Sequence, residues 1–440
     1  MRRRLLVFCF TFVLFSLLSR DARPQVTVVD NRLLNIPVDV IEIEGNEVTR
    51  EEIILREMHL GVGALASRSL LEADLLRVRD LNLFTRVEFL LTERDGKNVL
   101  IIRVTEKWYI FPLPYWNFKD NDPNELVYGF RYLQQNFRGR NESLTLDLWS
   151  GADRGYHWSH LNPWVQGTPA LSRSVAFSQV TKASRRLDLQ SRDLEEHHTS
   201  AEMKIGKRWS IESSSEVGVK FRLVRADDPQ LLAGDGGLDR ILEMQCLSFW
   251  DLRDSRIFPQ KGIFLQGQFL NGWLLDENEN YQRIALDMRK YLQFRELIIA
   301  MRAQWSPGWG DVPPYDWFVA GDTSPFRSAG LSDEGISFWK TSFEIRKILY
   351  PLHYFTWNHA PILKRYFRNL EYGLAASLFV DIGDIYTQTK SITGSSLVRG
   401  FGGGLLLMLP YVNIFRVELS MNPELPMRKA RVAARLGISF

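Results

Sequence analysis

Residues 108–440 alternate apolar and polar side chains with a period of two. Residues 143–149, 217–223 and 283–289 each place apolar side chains at every second position, with mostly polar or charged residues between them. This period predicts β-strands with one apolar and one polar face. A soluble β-sandwich would alternate in the same way. Strands of about ten residues whose polar faces are heavily charged instead favour a transmembrane β-barrel.

The alternation divides into sixteen predicted strands. Their approximate spans are 108–118, 125–136, 141–150, 154–162, 171–181, 198–208, 210–225, 238–251, 262–273, 280–293, 296–306, 338–349, 371–382, 396–409, 412–421 and 429–440. With an even number of strands, the last strand ends on the side of the membrane where the first begins. We call this the near side, because it carries the N-terminal domain, and the opposite side the far side. Predicted far-side loops are long (182–197, 226–237 and 307–337), and near-side turns are short except for a long connection at 350–370.

Residues 38–107 follow a different pattern, typical of a small α+β domain. Residues 40–44 alternate as a strand, and capping boxes at 49–52 and 69–72 each predict the start of a helix. Two further alternating runs flank an Asp-Gly hairpin turn at 95–96. The predicted order is strand, helix, helix, strand, strand.

Composition and charge narrow the class of protein. The chain has 55 Lys and Arg against 52 Asp and Glu, so no excess of positive charge points to a nucleic acid partner. Its 13 Trp, 14 Tyr and 27 Phe accompany a mean hydropathy of −0.18, which fits strands that face lipid on one side and water on the other. Arginines followed by a short apolar run predict a secretory signal peptide at residues 1–22. The predicted mature chain keeps one cysteine, Cys246, and therefore no internal disulfide.

The sequence offers no convincing catalytic or metal-binding arrangement. His157 and His160 lie three residues apart on a predicted strand and so face opposite sides, which makes a poor metal site. A lipid-cleaving site needs a Ser–His pair with an orienting polar group, and no such set can be assembled. The glycines at 402–404 lack the strand-then-helix context of a phosphate loop. We therefore expect no enzymatic activity, no metal and no cofactor.

Several features resemble the BamA- and TamA-type outer-membrane assembly and translocation superfamily. The order of elements in residues 38–107 resembles a POTRA domain. The turn between the eighth and ninth predicted strands resembles the corresponding turn of this superfamily, in which a D-x-R-D spacing precedes F-P-x-x-G. Six residues form this spacing here: Asp251, Arg253, Asp254, Phe258, Pro259 and Gly262. The last strand, with Gly437, Ile438 and the terminal Phe440, is similar to the C-terminal signal of outer-membrane barrels.

The superfamily also carries an arginine motif in its sixth outer loop, which folds into the barrel. Val398-Arg399-Gly400-Phe401 matches the motif by letter, but only two predicted strands follow it. The loop at 307–337 precedes five predicted strands and contains Arg327. The strand count therefore favours Arg327 as the loop anchor and leaves Arg399 as the alternative.

The resemblance further implies that the anchoring arginine pairs with acids on the twelfth and thirteenth strands. In this sequence the alternation turns Glu344 of the twelfth predicted strand and Asp381 of the thirteenth toward the polar interior. Both acids could then meet one guanidinium, whose planar fork suits bidentate contacts with carboxylates.

The resemblance implies an outer-membrane protein of a Gram-negative-type bacterium, with its POTRA domain in the periplasm. It implies that the protein inserts or translocates β-rich client proteins, contacts outer-membrane lipid and docks periplasmic or lipoprotein partners through the POTRA domain. We expect no nucleic acid partner. Two other functions stay open: a passive pore or scaffold, and a surface antigen or adhesin that uses the outer loops.

Overall fold

The computed structural model describes residues 26–118, 125–184, 186, 194–319, 326–327, 334–358, 364–387, 397–411, 413–422 and 431–436. The predicted signal peptide at 1–22 and the C-terminal residues Gly437, Ile438 and Phe440 lie outside these ranges. Among the helices that are described, none is both long and apolar enough to cross a bilayer.

The N-terminal domain packs two helices against a four-stranded sheet. Its elements are β1 (Val26–Val28), β2 (Val40–Glu44), α1 (Glu51–Leu55), α2 (Arg68–Asp80), β3 (Phe84–Arg94) and β4 (Lys97–Glu106). The sheet order is β1-β3-β4-β2, with β2 parallel and β3 antiparallel to β4. The predicted order is present from β2 to β4. β1 was not predicted and adds a parallel strand beside β3.

The starts of both helices differ from the predicted capping boxes. Arg50 is the N-cap of α1 and makes no side-chain cap bond, and the Thr49 hydroxyl donates to Glu106 at 2.6 Å. Ser67 caps α2 by accepting a hydrogen bond from the N–H of Leu70. The predicted capping residues were therefore wrong: Thr49 is engaged by a carboxylate that is distant in sequence, and Ser67 rather than Ser69 caps α2.

Side chains from one face of α2 and from β3 and β4 form the core of this domain. Leu71 and Val78 of α2 and Phe89 and Ile102 of the strands are fully buried. The helical period and the strand period each collect apolar residues on one face, so the two faces meet. Each buried side chain of this size stabilises the fold by about 1.5–3 kcal/mol.

Sixteen strands of six residues or more form an antiparallel barrel in the described part of the chain. In chain order the strands after β4 are β5 (Ile110–Phe118), β6 (Leu126–Phe137), β7 (Glu142–Gly151), β8 (Arg154–Asn162), β9 (Leu171–Ala183), β10 (Glu195–Arg208), β11 (Ser213–Ala226), β12 (Asp239–Asp251), β13 (Gly262–Leu274), β14 (Glu279–Phe294), β15 (Leu297–Ser306), the short β16 (Gly308–Gly310), β17 (Phe318–Val319) and β18 (Glu334–Gly335), then β19 (Ser337–Phe355), β20 (Leu370–Tyr386), β21 (Val398–Leu409), β22 (Asn413–Met421) and β23 (Arg431–Leu436). The order of the barrel closes with β23 beside β5.

The barrel wall has apolar side chains outside, whereas most of its charged side chains lie inside together with some apolar ones. On β20, Leu378 and Val380 are 69% and 44% exposed, whereas Phe379 and Asp381 are buried. A soluble sandwich would bury such an apolar face, so this exterior is the one expected for contact with lipid. The predicted fold class is confirmed: a mainly β chain with a sixteen-stranded barrel behind one small α+β domain.

The connection predicted at 350–370 is the main difference from the predicted strand spans. β19 and β20 extend into it from both ends and leave a connection of residues 356–369. Tyr350 and His353 lie with their ring centroids 5.9 and 5.8 Å from that of Tyr372 on the opposite strand. Cross-strand ring pairs of this kind stabilise strand pairing beyond the barrel wall. The predicted connection at 350–370 is therefore shortened to residues 356–369.

Candidate functional site

Arg327 lies between β17 and β18 and is almost fully buried, with 7% of its surface exposed. Its Nε and Nη2 donate to the two carboxylate oxygens of Asp381 at 2.9 and 2.7 Å. Its Nη1 donates to Glu344 at 2.8 Å and to Glu418 at 3.3 Å. The guanidinium therefore meets one acid bidentately and two more through a single nitrogen, a geometry that a lysine ammonium does not supply.

The three acids come from three different strands of the barrel. Glu344 lies on β19, Asp381 on β20 and Glu418 on β22, and all are at most 3% exposed. The alternation of β19 and β20 had assigned the first two to the interior. Glu418 was not predicted, although it shares the polar face of β22 with Arg416 and Ser420, and this pattern was the available signal.

Additional cations share these carboxylates. Arg346 donates to Glu344 at 2.7 Å, and Arg416 donates to Glu344 at 3.0 Å and to Glu418 at 2.7 Å. Lys340 Nζ lies 3.1 Å from the carboxylate of the aspartate on β20. Removing one partner of an isolated buried ion pair costs about 3–5 kcal/mol, because the other charge stays buried. Here each acid contacts at least two cations.

Two contacts hold Arg327 from other directions. Ser420 Oγ donates to the backbone carbonyl of Arg327 at 3.0 Å. The guanidinium carbon lies 3.6 Å from the ring centroid of Phe379, a cation–π contact. Backbone, ring and carboxylates together fix the position of the arginine.

Phe326, the neighbour of Arg327, occupies a small apolar pocket. It is 1% exposed and packs with Phe338 and Ile385. A Cβ placed at Gly383 would collide with the Phe326 ring and with the backbone carbonyl of Trp339. Gly383 therefore provides the room that this ring occupies.

The glycine run at 402–404 makes room for the same site. A Cβ at Gly402 would lie 2.7 Å from the ring of Phe379, and one at Gly404 would lie 2.8 Å from Cγ of Glu418. These distances are far below ordinary van der Waals contact. The run thus accommodates the ring and the acid that Arg327 contacts. Spacing along the chain could not reveal this, because the neighbours come from other strands.

The alternative motif, Val398-Arg399-Gly400-Phe401, lies in the barrel wall. It forms the start of β21, where Arg399 is paired with Ile382 of β20. Phe401 is 42% exposed. The structure therefore places this tetrapeptide in a strand, whereas it brings Arg327 together with Glu344 and Asp381.

The predicted turn motif lies between β12 and β13, which are the eighth and ninth strands of the barrel. Asp254 accepts hydrogen bonds from the backbone N–H groups of Gln260 and Lys261 at 2.9 and 3.1 Å. Asp251 accepts two hydrogen bonds from Arg253 at 2.6 and 2.8 Å. Asp254 therefore closes the turn, and Asp251 pairs with both of its arginines, Arg253 and Arg256.

The rest of the turn packs inward and meets the N-terminal domain. Phe258 and Pro259 are buried, and Gly262 has a φ of +111°, which L side chains rarely adopt. Ser255 Oγ donates to Asp80 of α2 at 2.9 Å. The turn motif is thus part of a contact between the two domains.

Polar contacts join the N-terminal domain to several near-side turns of the barrel. Arg208, at the end of β10, donates to both carboxylate oxygens of Glu57 at 2.7 and 2.6 Å. Other pairs across the interface are Asn136 with Thr49, Arg77 with Glu212, Arg79 with Glu371, and Ser255 with Asp80. Because these partners come from different parts of the barrel rim, the domain is docked across the rim rather than attached by one linker.

A cleft of about 540 Å³ remains between α2 and these turns. Its lining includes Arg77, Asp80, Arg208, Asp254 and Lys261. Charged side chains of both signs stand among apolar ones, such as Leu76 and Phe249, in this lining. Within the described ranges, no cluster of His, Cys, Asp and Glu side chains has the geometry to hold a metal ion.

Acidification is expected to weaken this docking. Burial opposes ionisation of Glu57, but its hydrogen bonds and ion pair with Arg208, together with the charges of Arg56 and Arg256, outweigh burial and lower its pKa. Because the pKa of Glu57 is lower in the docked state, its ion pair stabilises docking at pH values above the ordinary pKa of a carboxyl group. This stabilisation is lost as the pH falls through the lowered pKa. Distances between spin labels on α2 and a near-side turn should therefore broaden at acidic pH.

Two variants sharpen this measurement. Arg208→Met should broaden the distances at neutral pH. Arg240→Met removes an arginine from the opposite rim, where it donates to Asp276 at 2.6 Å, and should leave the distances unchanged. Equal broadening in both variants would show that Glu57 and Arg208 do not hold the interface.

The fold and the docked domain define a class: a transmembrane β-barrel protein with an N-terminal α+β domain at one rim. Residues 136–422 match the Omp85 superfamily domain, and residues 36–107 match the POTRA family, described as a surface antigen variable number repeat. The chain belongs to the Omp85 superfamily, and the predicted membership is confirmed. It is an outer-membrane protein, and membership implies protein insertion or translocation in that membrane.

Solved structures with a similar fold include members of this superfamily. BamA from Haemophilus ducreyi lacking POTRA domains 1–3 matches 94% of this chain and 84% of its own, at 15% identity and a TM-score of 0.52. CdiB from Escherichia coli matches 92% and 75%, at 11% identity and a TM-score of 0.56. At these identities the similarity concerns the fold. No curated protein sequence matches the chain.

Proposed function

We propose that this protein inserts or translocates β-rich client proteins at the outer membrane, with its POTRA domain in the periplasm and its sixth loop held inside the barrel. The observation that carries the proposal is the buried guanidinium of Arg327, shared by acids from three strands. A loop residue with these partners supports a loop that folds inward rather than one extended into the medium. Superfamily membership supports the handling of client proteins.

The first barrel strand supports a weakly paired seam between β5 and β23. The N–H of Gln135 donates to the carbonyl of Tyr109. In an antiparallel pair such bonds recur at every second residue. The backbone N–H and C=O groups of odd-numbered β5 residues therefore point toward β6, and those of even-numbered residues point toward β23. Pro112 and Pro114 are both even-numbered, and proline has no N–H. β5 therefore offers two fewer donors to β23, which is typical of an edge strand rather than of a strand inside a sheet.

The proposed mechanism uses strand addition at two places. A client strand pairs with backbone groups of β5 or β23 that the seam leaves weakly bonded. On the periplasmic side, the edge strand β2 of the POTRA domain captures an extended client segment or a partner protein in the same way. No step is catalytic, and none requires a metal or cofactor.

Depletion of the protein, followed by quantitative proteomics of the outer-membrane fraction, tests this function. We expect the level of at least one β-barrel protein to fall several-fold, and the parent gene to restore it. Unchanged outer-membrane protein levels together with a steady conductance in planar bilayers would instead establish a passive pore or scaffold. Loss of surface binding on trimming loops 182–197 and 226–237, with normal client levels, would establish an adhesin or antigen.

A further inference from the structure

Tyr411 lies in the near-side turn between β21 and β22 and has an unusual backbone conformation. Its φ is +66°, in the left-handed region that bulky residues rarely adopt. Such a conformation persists only where the surrounding contacts hold it, and it is frequent at functional sites. The contacts of this side chain therefore indicate what the turn does.

The ring of Tyr411 reaches the first strand of the barrel. It lies edge-on to Phe111 of β5, with the two ring centroids 5.9 Å apart. The Tyr411 hydroxyl also interacts with the backbone of Trp108, two residues before β5 begins. In the order of the barrel, β23 lies between β22 and β5. These contacts therefore span the seam at its near-side end.

The same hydroxyl donates a hydrogen bond to a segment that the POTRA domain holds. Its acceptor is the backbone carbonyl of Tyr366, in the connection between β19 and β20. Two residues further on, the carbonyl of Arg368 accepts a hydrogen bond from the hydroxyl of Thr85 at 3.1 Å. Asn369 Nδ2 donates to Thr105 Oγ1 at 3.1 Å. Because both threonines belong to the POTRA sheet, this segment joins the docked domain to the turn.

These contacts complement the weak backbone pairing of the seam. Pro112 and Pro114 remove donors from the edge of β5 that faces β23, and they directly follow the ring contact of Phe111. A seam with few backbone bonds needs other contacts to stay closed. An edge-on ring pair stabilises an interface beyond the area that it buries, and the hydroxyl adds a hydrogen bond to a third segment.

We propose that Tyr411, with Phe111 and Tyr366, forms a clasp that keeps the near-side end of the seam closed while the POTRA domain is docked. The inference rests on the proposed function of the seam as the place of strand addition. Movement of the domain away from the rim withdraws the segment around Tyr366, and with it the acceptor of the Tyr411 hydroxyl. The seam then opens from the near side, which is the side of the POTRA domain.

Spin-label distances across the seam of the purified full-length protein test the clasp. Ile110 on β5 and Val417 on β22 have exposed side chains, so Ile110→Cys and Val417→Cys provide the label sites after Cys246→Ser. Tyr411→Ala is expected to raise the population at longer distances about three- to tenfold, because it removes the ring pair and the hydroxyl. Tyr411→Phe keeps the ring and should raise this population only about twofold.

Two further variants separate the clasp from general loosening of the barrel. Trp209→Ala removes an exposed aromatic side chain from another near-side turn, between β10 and β11, and should leave the distances unchanged. Asn369→Gly removes side-chain contacts with the POTRA domain at a residue whose φ of +51° suits glycine. It should raise the longer-distance population about twofold alone and add nothing to Tyr411→Ala, since both act on one contact. Gel mobility without heating and the Tm verify that the variants are folded.

Unchanged distances in folded Tyr411→Ala would overturn the clasp, and so would equal opening in Trp209→Ala. Effects of Asn369→Gly and Tyr411→Ala that add in full would overturn the link to the POTRA domain. The distances are measured without a client. Failure of the clasp therefore leaves the distances unchanged, whereas failure of the proposed function leaves outer-membrane protein levels unchanged after depletion.

Discussion

Replacing Arg327 with glutamate is expected to prevent most of the barrel from reaching its folded form. The substitution removes the bidentate donor to Asp381 and adds a carboxylate beside Glu344 and Glu418. Loss of one partner from a buried ion pair costs about 3–5 kcal/mol, and repulsion between like charges adds to it. In the fraction that folds, the Tm should fall on the order of 10 °C. The measurements are gel mobility without heating and thermal unfolding.

Arg399→Glu is the matched control, because it makes the same change at the alternative motif. Arg399 is exposed at the start of β21, so the variant should fold like the parent protein. Arg327→Lys keeps the charge but loses the planar fork and should be intermediate. If Arg399→Glu failed to fold while Arg327→Glu folded normally, the anchor would be Arg399 and the assignment made from strand order would be wrong.

Replacing both Pro112 and Pro114 with valine is expected to stabilise the barrel and reduce its activity. Valine restores two N–H donors on the edge of β5 that faces β23, each worth about 0.5–1.5 kcal/mol when bonded. Valine also suits a strand better than proline does. Loss of proline adds entropy to the unfolded chain and opposes this gain by about 0.4–1 kcal/mol per site. A higher Tm would therefore report the new bonds.

Activity provides the second measurement for the proline variant. A more firmly paired seam leaves fewer free backbone groups for a client strand, so outer-membrane client levels should fall in cells that carry only this variant. Leu113→Val is the control, since residue 113 bonds to β6 and its side chain is exposed. An unchanged Tm together with normal client levels in the double variant would show that these prolines do not weaken the seam.

The fold class and most strand positions could be predicted from the sequence alone. Apolar–polar alternation is a local property, because successive side chains of a strand point to opposite faces. It therefore assigned Glu344 and Asp381 to the interior before any contact was known. The order of elements in the N-terminal domain was also readable, although Thr49 and Ser69 were wrongly chosen as helix caps. Counting strands favoured Arg327 over a better letter match.

The contacts between residues that are distant in sequence could not be predicted, because they depend on how the strands are arranged in space. Glu418 joins Arg327 because β22 lies two strands beyond β20 in the barrel, and Gly383 matters because Phe326 packs against it. Asp316 finds Arg222 across a gap of 94 residues, and the POTRA domain docks on turns that are far apart along the chain. A two-residue period specifies which face a side chain occupies. It contains no information on which residues of a loop contact which strands, because that depends on the register and closure of all the strands.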